Sequence, residues 1–152
     1  MSLCFKFAAA LICALPVLSC SGKIPSGLGL SDNLLAPCPS SPNCVSSNAT
    51  DDGHKVEAFV LSASPEVAWG VIREEAAALP RTTITEETPD YLHVQCASAL
   101  FGFVDDFELH LRQSTGTVDI RSASRVGYSD LGVNRRRVER LRQALQARGV
   151  IR

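Results

Sequence analysis

The chain has almost no net charge. Its 15 Lys and Arg stand against 16 Asp and Glu, a formal charge of −1. Such a balance gives no general pull toward polyanions. Aromatic residues are scarce at 6%, and they do not interleave with the basic positions, which argues against a nucleic-acid surface. No apolar run is long enough to span a bilayer: "FAAALICALPVL" falls well short of the ~20 residues a membrane helix needs. There is no internal repeat, no low-complexity tract, no C-x-x-C pair and no recognised catalytic spacing. At 152 residues the chain suits one domain and not comfortably two.

What the sequence does hold begins at its front. Lys6, the short apolar stretch and then Val17-Leu18-Ser19-Cys20 have the form of a bacterial lipoprotein signal. An apolar residue and smaller ones before a cysteine suit the processing peptidase, and the thiol takes a diacylglycerol. Residues 1–19 are therefore expected to be removed as a signal peptide, leaving Cys20 lipidated. Ser21 in place of Asp offers no inner-membrane retention signal. The expected location is the cell envelope, lipid-anchored, in the outer membrane facing the periplasm. Buried acyl methylenes contribute about 0.8 kcal/mol each, so such an anchor holds durably. Residues 20–37, rich in Gly, Ser and Pro, read as a flexible tether. Residues 38–149 read as the folded domain.

Three cysteines remain after Cys20. Cys38 and Cys44 close "CPSSPNC", a loop stiffened by Pro39 and Pro42. In an oxidising compartment a disulfide is the default, with free structural thiols or a reactive thiol as the alternatives. Cys96 alternates with Leu92 and Val94 and is expected to be buried.

The element pattern predicts an α+β domain: a mostly antiparallel sheet with two helices packed on one face. "HKVEAFVLS" (54–62) reads as a strand. Ser64-Pro65-Glu66 opens a helix with a hydroxyl cap and Pro in the first turn, Trp69 is an expected core anchor, and Pro80 stops the helix. "RTTITEE" and "YLHVQCAS" form strands around Thr88–Asp90. The last helix, "NRRRVERLRQALQAR", takes Asn134 or Asp130 as its cap and Gly149 as its stop. Arg135, Arg136 and Arg137 crowd its first turn, the wrong sign for the helix dipole, so a nearby acid or an anion is expected to compensate.

The stretch "FVDDFELHL" carries three acids. It forms a hairpin with "VDIRSASRV" across the turn "STGT". If Gln113 faces Val118, alternation puts Phe107, Leu109 and Leu111 on the core side. Asp106 and Glu108 then lie on the other side, matched by Arg125 and Arg121. Opposite charges across strands contribute roughly 0.2–1 kcal/mol per pair, and the expectation is mutual neutralisation. Asp105 is the exception, pointing inward. Charge is also divided along the chain. Residues 20–120 are acid-rich, whereas residues 121–152 hold a dense set of arginines against Asp130 and Glu139; the two halves are expected to pair.

Three blocks, "LAPCPSSPNCVSS", "LFGFVDDFELHL" and "IRSASRVGYSDLGVNRRRVERLR", resemble the bacterial and plastid family called domain of unknown function 1499 (DUF 1499). The resemblance runs over residues 34–147. It implies a small exported or membrane-associated domain with no established activity. It also implies that the Cys-Pro loop, Asp105-Asp106 and Arg121 through Asn134 are what the family keeps.

The functional expectation is a non-catalytic envelope domain, held to the membrane at Cys20 and binding a protein partner or a small amphiphile. No cofactor, metal or nucleic acid is implied. Architecture resembling helix-grip folds would allow a small apolar cavity under the last helix. The alternative is a hydrolase-like enzyme with a polar site drawn from Asp105, Asp106, Glu108, Arg121, Arg125, Ser129, Asp130, Asn134 and Arg136, or with Cys44 as nucleophile beside His54 or His93. One test separates the two. If Arg121, Arg125, Arg135 and Arg136 each meet a carboxylate within the fold, no anionic ligand is needed.

Overall fold

A computed structural model describes residues 22–99 and 101–152. The expected signal peptide and Cys20 lie outside the described residues. The elements, in order, are β1 (Leu30–Ser31), β2 (Leu34–Leu35), β3 (Cys44–Ser46), β4 (Phe59–Val60), α1 (Pro65–Ala77), β5 (Thr82–Glu87), β6 (Tyr91–Ala97), β7 (Val104–Arg112), β8 (Thr117–Ser124) and α2 (Val133–Ala147). The main sheet is antiparallel in the order β3-β8-β7-β6-β5, with β4 also paired to β8. The expected α+β class, with two helices on a mostly antiparallel sheet, is correct.

Alternation assigns the sheet's inner face. Leu92 and Val94 on β6, Phe107, Leu109 and Leu111 on β7, and Val118 and Ile120 on β8 are buried against Ile72 and Ala76 of α1 and Val138, Leu141 and Leu145 of α2. Trp69 is part of this core, although its indole Nε1 lacks a hydrogen-bond partner. Ser64 caps α1, its hydroxyl accepting from the Val67 N–H.

Three sequence expectations change. The strand over 54–62 is reduced to Phe59–Val60, with isolated bridges Ser46–Lys55 and Leu61–Ile151 to either side. The hairpin register differs by two residues: Arg112, not Gln113, is the last paired residue before the loop, and it faces Thr117. Gly116 supplies the reason. It sits at φ +64°, a conformation glycine adopts without penalty, and it takes the last loop position, so the loop is Gln113–Gly116 and not Ser114–Thr117. The shift keeps every side chain on its expected face, because strand alternation has a period of two. It moves Arg121 from opposite His110 to directly opposite Glu108. Third, part of the expected tether is structured. Asp32 and Asn33, both left-handed, turn the chain between β1 and β2, and Leu35 is buried.

Cys38 and Cys44 form a disulfide with Cα atoms 5.6 Å apart, as the loop predicted, so Cys44 is no nucleophile. Cys96 is free and buried. Under denaturing, non-reducing conditions, one thiol among the described cysteines should react with a maleimide; labelling at Cys38 or Cys44 would refute the pairing. Reduction should lower stability by about 2 kcal/mol, the chain-entropy value for so short a loop, measured by urea denaturation.

Candidate functional site

The sheet's second face is not an outer surface. Asp106 and Glu108 are about 1% and 0% exposed. Residues 29–35 cover part of it: the Gly29 N–H donates to Glu108 Oε1 at 2.9 Å, and Arg112 donates to the Asn33 carbonyl. An unpaired carboxylate here would be severely penalised by desolvation, so each needs a full set of donors.

Glu108 has them. Arg121 Nη1 donates to Oε2 at 2.8 Å, and the Tyr91 hydroxyl to Oε1 at 2.9 Å. Burial, followed by the charge of Glu108, pushes the Tyr91 phenol well above its ordinary range, so it stays a donor. Asp106 is gripped by both Arg125 Nε (2.9 Å) and Nη2 (2.7 Å), and by His93 Nε2 at 2.8 Å. Burial alone would raise its pKa; the His93 and Arg125 hydrogen bonds outweigh that and hold it below the ordinary carboxylate range. His110 shares this face. Burial first, and then the Arg112 charge, make it harder to protonate, and its Nδ1 has no partner.

His93 extends the chain of contacts. Its Nδ1 lies 2.7 Å from Thr85 Oγ1. The Thr85 hydroxyl also donates to the His93 carbonyl at 3.2 Å. Thr85 sits at a register irregularity between Ile84 and Glu86, where a bulge re-aims a side chain. The result is a hydroxyl–imidazole–carboxylate series.

On the inner face, Asp105 resolves differently. Arg137 Nη2 donates to Asp105 Oδ2 at 2.5 Å and Nη1 to Ser122 Oγ at 2.9 Å. Asn134, fully buried, accepts from the Ser122 hydroxyl at 2.6 Å and donates to the Asn43 carbonyl at 3.0 Å. The N-cap of α2 is Gly132, at φ +78° and without a side-chain cap, and not the expected Asn134 or Asp130; Asp130 supports this turn from two residues earlier, accepting from the Asn134 N–H at 2.7 Å and the Gly132 N–H at 2.9 Å. The wrong-sign first turn is thus offset by Asp130 and Asp105.

Of the nine polar residues expected to form one site, Ser129 accepts from the Leu131 N–H in the β8–α2 connection, and the other eight fall into separate groups. Asp106 and Arg125, with Glu108 and Arg121, lie on one side of the sheet. Asp105, Asn134 and Asp130 lie at the strand-to-helix corner on the other. Arg136 belongs to neither. The charge-balance test splits: Arg121 and Arg125 have carboxylates, whereas Arg135 donates to the Lys55 and Gly53 carbonyls and Arg136 to that of Leu131.

Arg136 leads to a feature the sequence did not reveal. A cleft of about 340 Å³ opens between the end of α1, the end of β6 and the first turns of α2. Arg81, Arg136, Arg137 and Arg140 line it above apolar groups of Leu79 and Val133. Arg137 is committed to Asp105. Arg81 donates only to the Ala97 carbonyl, and Arg140 has no side-chain partner among the described residues. Cys96 also borders the cleft, but burial pushes its thiol up to about 11, too high for a nucleophile. Among the described residues no group of three or more His, Cys, Asp or Glu could hold a metal ion.

Replacing Glu108 with Gln should cost about 3–5 kcal/mol, because the Arg121 charge is left buried without a counter-ion. The double variant Glu108→Leu/Arg121→Leu should recover most of that loss. Urea denaturation of both variants checks it; equal losses would mean that the pair is not coupled.

No curated protein and no solved structure matches the chain. The family profile described as "Protein of unknown function (DUF1499)" matches residues 34–145. That span takes in the disulfide loop, both faces of the sheet and nearly all of α2, and the chain belongs to this family.

Proposed function

We propose that the protein is a lipid-anchored, non-catalytic domain of the cell envelope that binds a small amphiphile with an anionic head. The observation that carries this reading is the cleft: among the described residues three of its four guanidiniums have no carboxylate partner, and they share its lining with Leu79 and Val133. A fixed cluster of planar, permanently charged donors suits a carboxylate or phosphate head, while Leu79 and Val133 offer contact to a short acyl or alkyl portion. Asp106 and Glu108, by contrast, already have their donors within the fold. Anchoring at Cys20 would hold this site where amphiphiles are concentrated.

Intact mass of the membrane-extracted protein should show diacylglycerol and acyl mass on Cys20. Binding of a fluorescent long-chain fatty acid should weaken at least about tenfold in Arg136→Glu/Arg140→Glu, a change of roughly 1.4 kcal/mol. Equal affinity in the variant and the parent would reject the cleft.

A second reading, a hydrolase-like enzyme, has one specific observation in its favour: the Thr85–His93–Asp106 series. A base within hydrogen-bond reach of a hydroxyl, itself oriented by a carboxylate, is the arrangement that activates a nucleophile. Here the carboxylate is also held by Arg125, which weakens its effect on the ring. On the binding reading a fluorophosphonate probe leaves Thr85 unmodified; labelling that disappears in Thr85→Ala, read by peptide mass, would favour the enzyme.

A further inference from the structure

The proposed lipid anchor fixes one point of the chain to a bilayer but leaves orientation open. One end of the sheet carries an unusual surface. The β6–β7 connection presents Phe101, 64% exposed, with its ring 5.5 Å from that of Phe103. The β8–α2 connection presents Tyr128 and Leu131, 76% and 84% exposed. The two connections are neighbours: Asp105 pairs with Ser124, and the Arg125 N–H donates to the Val104 carbonyl. Large apolar groups gathered at one end of a small domain mark an interaction surface.

Leu131 is held there at a cost. Its φ is +53°, a left-handed conformation unfavourable for a bulky residue. Ser129 Oγ accepts from its N–H, and its carbonyl accepts from Arg136. The fold thus maintains strain to present a leucine that it does not bury.

The chain itself indicates what covers this end. Gly22, two residues beyond Cys20, packs against it: a Cβ built on Gly22 would lie 3.0 Å from Arg125 Cβ and 3.1 Å from Val126 Cγ1. A lipid on Cys20 would therefore start within a few residues' reach of Phe101, Tyr128 and Leu131. Arg136, which the cleft shares with this corner, brings positive charge to the rim, as a surface for anionic headgroups requires. Tyrosine with exposed aliphatic and phenyl groups is the composition that settles at a bilayer interface.

We propose that this end of the domain, formed by residues 101–103 and 126–133, lies on the membrane as a second contact beside the lipid. The inference rests on the anchoring reading, and its test separates the two. The full-length protein is reconstituted in phosphatidylethanolamine–phosphatidylglycerol vesicles. The variants Phe101→Cys and Tyr128→Cys, and Thr115→Cys in the hairpin loop at the other end of the sheet, each carry an environment-sensitive dye quenched by iodide. Cys96 is buried and stays unlabelled. Quenching should be lost at positions 101 and 128 and retained at 115. The variant Leu131→Gly relieves the left-handed backbone, so it should keep or raise the denaturation midpoint while restoring quenching at 128.

Equal quenching at 101, 128 and 115 in protein carrying lipid on Cys20 overturns the docking and leaves the anchor standing. Shielding found in native envelopes but not in vesicles also overturns it, assigning the surface to a protein partner. If Cys20 carries no lipid, flotation with the vesicles and shielding at 128 preserve the docking and reject the anchor; failure to float rejects both.

Discussion

Two carboxylates buried inside a sheet set the terms for everything around them. Asp106 and Glu108 cannot stay ionised there without arginines, and each arginine comes from β8 or just beyond it. Ion pairs of this kind add little net stability compared with apolar replacements, because desolvation offsets the attraction. They do select one register. A two-residue slip of β8 against β7 would keep the apolar face intact but separate Glu108 from Arg121. The same demand draws in Tyr91 and His93 of β6 and the backbone of Gly29, so two other segments are located by the needs of two acids. Asp105 does the equivalent work on the inner face by fixing Arg137, and with it the start of α2.

Much of this was legible in the residues. Alternation in "FVDDFELHL" placed Phe107 and Leu109 inward and the two acids outward. The cap residue opened α1, Gly149 marked the end of α2, and the proline-stiffened loop gave the disulfide; the start of α2 fell instead at Gly132, whose left-handed backbone the letters do not announce. What remained hidden has a common character: it depends on relations between distant segments. Nothing local says that residues 29–35 fold back over the sheet, so a face read as outer proved to be buried. The hairpin register hung on the backbone conformation of Gly116, which the letters "STGT" leave open by two residues. Thr85 joined His93 only through an irregular pairing of β5 with β6, and irregularities carry no pattern to read. Arg81 and Arg140 are far apart in sequence and meet only where the α1–β5 turn approaches α2.

The division of arginines is the clearest link from fold to function. Those from β8, its end and the inward side of α2 close internal acids. Arg136 and Arg140, on the exposed side of the same helix, do not. One basic segment therefore serves two ends: Arg121, Arg125 and Arg137 are consumed in construction, whereas Arg136 and Arg140 are presented at the cleft. Counting formal charge over the whole chain conceals this, because the total is nearly zero.

The irregularity at Thr85 also bears on how copies of the protein meet. β5 is the free edge of the main sheet, and an open edge invites pairing with the edge of a second molecule. Were the proposed anchor to confine the molecules to two dimensions, collisions would be more frequent and that hazard sharper. The bulge breaks the regular row of donors and acceptors, and Glu86 and Glu87 at its end would confront the same acids on an approaching neighbour. The edge of one copy is thereby kept from zipping onto the edge of another.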